Sequence, residues 1–107
     1  MKYRELADTG INVSEIGFGT WGIGGASPGA TSYGRTDDSV SRAALAAALE
    51  AGVNFFDTAS AYGSGHSEEL IGDAFKSCRD KVVLATKAGM ADFEAAPDYS
   101  PRAIRRS

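Results

Sequence analysis

Apolar residues come in short blocks along this chain, and the polar residues between them fall where turns and helix starts belong. Tyr3 to Leu6 and Ile11 to Val13 flank Asp8-Thr9-Gly10, a turn sequence, and predict a β-hairpin over residues 1–13. Glu15 to Phe18 predicts a further extended piece that runs into Gly19-Thr20-Trp21. From Gly22 to Arg35, glycines, Pro28 and serines follow without periodicity, which predicts a long loop.

A helical pattern begins at Thr36-Asp37-Asp38, where a hydroxyl cap and two acidic residues suit the positive end of a helix dipole. Asp37 to Ala51 is rich in Ala and Leu, and Val40, Ala44, Ala47 and Ala51 are predicted to share one face. Gly52 stops that helix, and Val53 to Phe56 predicts a buried strand. Ser67-Glu68-Glu69 predicts the cap of a second helix with Leu70, Ile71, Ala74 and Phe75 as its apolar stripe. Val82 to Thr86 predicts another buried strand. Ser100-Pro101 opens a third helix, a cap residue before a proline at the first helical position. Only Arg102 to Ser107 follow, so this helix reads as truncated. A hairpin followed by β, α, β, α, β, with apolar rather than alternating strands, predicts an α/β fold with a parallel sheet.

Composition narrows the field without changing that picture. A chain of 107 residues, 43% hydrophobic and 23% charged, suits one globular domain with a modest core. Its net charge of −3 leaves no basic footprint for nucleic acid or an anionic membrane. The cluster Arg102, Arg105 and Arg106 reads as a solvated helix turn. Cys78 is the only cysteine, so no internal disulfide or cysteine metal set is expected. Met1 to Glu5 lacks the apolar run of a signal peptide, and no later stretch is a bilayer span. A cytoplasmic protein is the expectation.

The candidate chemistry lies at strand ends. Asp57 directly follows Val53 to Phe56, and Lys87 directly follows Val82 to Thr86. In parallel α/β folds, the C-terminal strand ends are where binding and catalysis gather. Neighbouring strands lie about 4.8 Å apart, so Asp57 and Lys87 could form a partly buried ion pair. The plain alternative is that each ends its strand in solvent. Tyr62 lies in the loop that leaves Asp57, followed by Gly63, Ser64 and Gly65. A loop tyrosine usually packs with its hydroxyl at the surface, but this loop could fold Tyr62 back over the pair. A phenol, with an ordinary pKa near 10, holds at neutral pH the proton a general acid must give. A nearby ammonium would stabilise the phenolate, and a carboxylate would hold the ammonium.

Gly17-Phe18-Gly19-Thr20-Trp21-Gly22 also fits the G-x-G-x-x-G pattern of dinucleotide-binding turns. That motif needs a helix at once, and an acidic residue about 20 positions on. A Gly/Pro/Ser loop follows instead, and Asp57 comes far too late, so the pattern fails on context.

The segment Gly52-Val53-Asn54-Phe55-Phe56-Asp57-Thr58-Ala59-Ser60-Ala61-Tyr62-Gly63, with Ser67-Glu68-Glu69-Leu70-Ile71-Gly72, resembles the aldo-keto reductase signature. Tyr3-Arg4-Glu5-Leu6, Thr9-Gly10 and Val13 to Trp21 resemble that family's hairpin and first barrel strand, and Ala85-Thr86-Lys87 its third strand end. The resemblance implies a (β/α)₈ TIM barrel, incomplete in this chain. Residues 1–13 would form the hairpin and residues 14–107 the first three βα units, all within one domain. It implies an oxidoreductase that reduces aldehydes or ketones to alcohols with hydride from NADPH, NADH remaining open. Tyr62 would be the proton donor, Lys87 would make it a stronger acid, and Asp57 would pair with Lys87. Gly19, Thr20 and Trp21, with Asp57, would line the cofactor side of the pocket.

The family's fourth catalytic residue, a histidine at the fourth strand end, would lie beyond Ser107. His66, the only histidine, reads as a surface or helix-entry residue. Expected partners are a small carbonyl substrate and the remainder of the barrel or a complementary chain. Two alternatives stand beside the enzyme. One is a regulatory or cofactor-sensing subunit like the family's potassium-channel β subunits. The other is a naturally short, inactive chain that needs a partner to cover its sheet edges.

Overall fold

The computed structural model describes residues 1–26 and 33–107. The predicted loop from Gly22 to Arg35 therefore lies partly outside the described residues, at 27–32. Its first residues form a 3₁₀ turn, Trp21–Ile23. Strands β1 (Tyr3–Glu5) and β2 (Asn12–Ser14) pair antiparallel, Tyr3 opposite Ser14. Three further strands form a separate parallel sheet in the order β3 (Phe18–Gly19), β4 (Phe55–Asp57), β5 (Val83–Ala85). Helix α1 (Asp38–Glu50) connects β3 to β4, and α2 (His66–Phe75) connects β4 to β5. A short helix α3 (Pro101–Ile104) follows, and the Ser100 hydroxyl accepts from the Ala103 N–H as its cap.

The core lies where α1 and α2 cover the sheet. Leu45, Val53, Phe56, Leu70, Ile71, Phe75 and Val82 form one buried cluster. Phe56, at the centre of the middle strand, sets its ring 4.5 Å from that of Phe75, within the range of a favourable aromatic pair. The α2 stripe forms as its spacing predicts, with Leu70, Ile71 and Phe75 buried and Ala74 half-buried. In α1 the inward face differs from the expected one. Ser41 and Leu45 are buried, with Ala44, Ala48 and Leu49 half-buried, whereas Val40, Ala47 and Ala51 are exposed. An alanine-rich helix has little contrast between faces, and Leu45 rather than Val40 decides which side packs. The strands also differ from expectation. Within the parallel strands only Phe56 is fully buried, while Phe55, Val83, Leu84 and Ala85 are half-buried. Val53 and Val82, expected at the strand starts, are buried just before them. Helices cover one face of the sheet, and among the described residues nothing encloses the other to the same degree.

Two helix starts also correct the sequence reading. Asp37, not Thr36, caps α1, its carboxylate accepting from the N–H groups of Ser39 and Val40. Ser67 does not cap α2: the N-cap is Gly65, and Ser67 lies inside the first turn with its side chain buried. The stop at Gly52 stands, for its φ of +93° favours glycine. A Cβ there would also sit 2.9 Å from Met1 Cβ and 3.0 Å from the Tyr3 hydroxyl oxygen. That hydroxyl donates to the Gly52 carbonyl, and Asn54 exchanges hydrogen bonds with Ser14 and donates to the Asn12 carbonyl. The hairpin is thus fastened to the segment that enters β4.

Candidate functional site

Parallel strands bring their C-terminal ends to one edge of the sheet, and the charged residues gather there. Gly19 lies opposite Asp57, and Asp57 opposite Ala85. Lys87 follows two residues beyond β5, its backbone carbonyl accepting from the Ser60 hydroxyl. Its side chain turns back to Asp57, with Nζ 2.7 Å from Oδ1. The two side chains are 53% and 43% exposed, so this pair is open to water and contributes little to stability. Its value lies in placement. Nζ also donates to the Thr58 carbonyl at 2.9 Å and points to Tyr62 Oη at 3.5 Å. An ammonium has three N–H bonds, and each is directed at one of these oxygens.

The charge on Lys87 follows from this surround. Burial pushes its ammonium down, but the hydrogen bond it donates to Asp57, the contact with Tyr62 and the Asp57 charge outweigh it. Lys87 therefore holds its proton above the ordinary lysine range and stays cationic at neutral pH. Because Lys87 donates to Tyr62, the phenol oxygen acts as acceptor on that side. The phenol's own proton is left to point elsewhere.

The loop carrying Tyr62 is pinned from several directions. Ala59 and Ala61 are buried, the Tyr62 N–H donates to the Ala59 carbonyl, and the Ser67 N–H donates to the Tyr62 carbonyl. Gly63 has φ +63°, and a Cβ there would collide with the Gly24 carbonyl. The segment after β3 therefore packs backbone to backbone against the tyrosine loop. The Phe93 ring stacks beside Tyr62, centroids 6.3 Å apart and planes 25° from parallel. Lys87 Nζ lies 5.2 Å from the centroid of the Tyr62 ring.

Other residues singled out from the sequence have separate places. Thr20 is fully buried, and its hydroxyl donates to the Asp57 carbonyl at 2.9 Å. Its side chain is thus committed to the protein rather than to an open pocket. Trp21 is half-buried and packs on Tyr33, centroids 4.8 Å apart, with its Nε1 buried and without a partner among the described residues. Gly19 leaves space: nothing stands within 4 Å of the position a Cβ would take. His66 begins α2, with Nε2 2.8 Å from Asp38 Oδ1 on α1, a helix-entry position. The hydroxyl linkage of Thr20, Thr58 and Ser67 and the Phe93 ring beside Tyr62 are not among the sequence expectations, which gave Thr20 a cofactor-side place and Ser67 a capping one. A small hydroxyl residue inside an apolar helix stripe, as at Ser67, is the signal that could have found part of that linkage.

Comparison with known proteins gives a consistent result. A family model described as the Aldo/keto reductase family matches residues 15–107. The chain is 49% identical to aldo-keto reductase YhdN of Bacillus subtilis, over 84% of this chain and 26% of that protein. It is 38% identical to the NADH-specific methylglyoxal reductase of Escherichia coli, over 84% of this chain and 27% of that protein. Among solved structures, an aldo-keto reductase from Bacillus halodurans in its holo form superposes with a TM-score of 0.70 at 36% identity. That match covers 83% of this chain and 26% of the other. The chain thus spans about a quarter of the length of the relatives it matches.

Proposed function

The chain belongs to the aldo/keto reductase family, and from that premise we propose that its whole protein reduces aldehydes or ketones to alcohols. Residues 1–107 are read as the hairpin and first three βα units of one (β/α)₈ barrel, whose remaining strands would enclose the open face of the sheet. The reading is supported above all by Lys87, paired with Asp57 and aimed at Tyr62 Oη.

A reduced nicotinamide, when bound, supplies the hydride that adds to the carbonyl carbon. Asp57 and the opening over Gly19, flanked by Trp21, would hold its riboside. Tyr62 holds the proton that goes to the carbonyl oxygen, so that hydride and proton together make the alcohol. As the proton leaves, negative charge develops on Oη, and the Lys87 ammonium already faces that oxygen. Preset charge of this kind needs no reorganisation during the reaction. Asp57 keeps the ammonium in place. The 3.5 Å separation is long for a hydrogen bond, as catalytic contacts often are before substrate arrives.

We take the cofactor to be NADPH, with NADH as the alternative, the setting to be the cytoplasm, and the substrate to be a small carbonyl compound. Among the described residues no helix is long and apolar enough to cross a membrane. The test is oxidation of NADPH and of NADH by the whole protein with propanal, benzaldehyde and acetone. Carbonyl-dependent oxidation is expected with at least one pair. Cofactor binding without turnover across a wide carbonyl panel would favour a cofactor-sensing subunit.

A further inference from the structure

Beneath the charged residues lies a buried set of three hydroxyls that the mechanism above does not use. Thr20, Thr58 and Ser67 are 0%, 3% and 0% exposed. The Thr58 hydroxyl donates to Ser67 Oγ at 3.2 Å. Ser67 Oγ lies 2.7 Å from Thr20 Oγ1 and 3.0 Å from the Thr20 carbonyl. Thr20 Oγ1 in turn donates to the Asp57 carbonyl at 2.9 Å. Each hydroxyl has one proton to give, and here each gives it to the next in line, ending on the backbone of Asp57. Chains of this kind polarise one another, and in a buried site they hold a single geometry.

Ser67 is the junction. Its hydroxyl joins the ends of β3 and β4, and its N–H holds the carbonyl of Tyr62. Lys87 Nζ bonds to the carbonyl of Thr58, one step away. The three groups of the proposed reaction therefore hang on residues of this chain: Asp57 by its carbonyl, Lys87 through Thr58, and Tyr62 through Ser67. We propose that Ser67, with Thr20 and Thr58, is a positioning residue that sets the distance from Tyr62 Oη to Lys87 Nζ. This rests on the carbonyl-reducing reading only for its effect on turnover; the geometric claim stands apart from it.

The alternative is that these residues merely fill space, and paired substitutions separate the two in the whole protein. Thr58→Val keeps the shape and removes the hydroxyl; Thr58→Ser keeps the hydroxyl and removes a methyl. Ser67→Ala removes the junction at a helical position where alanine is favoured. Crystal structures of the variants read the Tyr62 Oη to Lys87 Nζ distance, and steady-state kinetics with the best aldehyde found above read kcat and KM. Misplacement by about 1 Å can cost roughly 100-fold in rate. Thr58→Val and Ser67→Ala are expected to lengthen that distance and lower kcat about 10- to 100-fold, with NADPH affinity retained. Thr58→Ser should recover most of the rate.

Unchanged distance and kcat in Thr58→Val, or an equal loss in Thr58→Ser, overturns the proposal. Should Ser67→Ala fail to fold, the Thr58 pair decides alone. If the parent reduces no carbonyl, the crystal structures still give the answer, and the failure belongs to the proposed activity.

Discussion

At the scale of single residues, the site depends on Lys87 being charged while Tyr62 is not. The lysine's raised pKa is the net result of burial opposed by Asp57 and Tyr62. A folded-state pKa above the unfolded one means that the pair's contribution is complete below the ordinary lysine pKa, near 10.5. It is lost as pH rises through the higher folded value. The Lys87 charge is therefore expected to persist through mild alkalinity and to be lost only above the ordinary lysine range. Lys87→Met should lower kcat at every pH and alter the alkaline limb, as a pH profile of both proteins will show; a profile unaltered by Lys87→Met would refute the role given to the lysine. The Asp57–Lys87 pairing was legible in the sequence because each residue follows a predicted strand on neighbouring positions of the sheet. Tyr62 stood out only as a loop residue able to fold back, and its role came from the family resemblance. The hydroxyl chain was not legible. Thr20, Thr58 and Ser67 are small polar residues whose partners lie up to 47 positions away, and no local pattern signals a bond of that span.

The elements show where such patterns succeed and where they fail. α2 places Leu70, Ile71 and Phe75 as its stripe predicts because large apolar residues alternate there with Glu68, Asp73 and Lys76. α1 turns a different face inward because alanines carry almost no preference of their own. Its start was misplaced by one residue, since Thr36 and Asp37 are both competent caps and only the fold chooses Asp37. The β4–α2 loop is the element on which the site turns. Gly63→Ala would strain a positive φ and drive a methyl into the Gly24 carbonyl. It is expected to lower the melting temperature of the whole protein and cut turnover together, and thermal unfolding with the aldehyde assay checks both. Behind that loop, Phe56→Ala would open a cavity against Phe75, at a cost of about 3–5 kcal/mol. Denaturant unfolding reads that loss; a change of under about 1 kcal/mol would contradict the core described above.

The whole molecule leaves apolar surface in the open, including Ile16, Val40 and Tyr99 at 62%, 66% and 67% exposure. The face of the sheet opposite the helices is only partly covered. Unpaired strand edges and apolar patches of this kind favour association. The 107-residue chain by itself is therefore expected to self-associate on size-exclusion chromatography and to reduce no aldehyde with NADPH. A soluble, active monomer of that length would remove the need for the remaining barrel. In the whole protein, the proposal stands on Tyr62 giving up its proton beside Lys87. The most direct test compares wild type with Tyr62→Phe, measuring carbonyl-dependent NADPH oxidation and NADPH binding side by side. Loss of about 10²–10⁴-fold in kcat with cofactor binding intact is the predicted result. Wild-type turnover in Tyr62→Phe would contradict it.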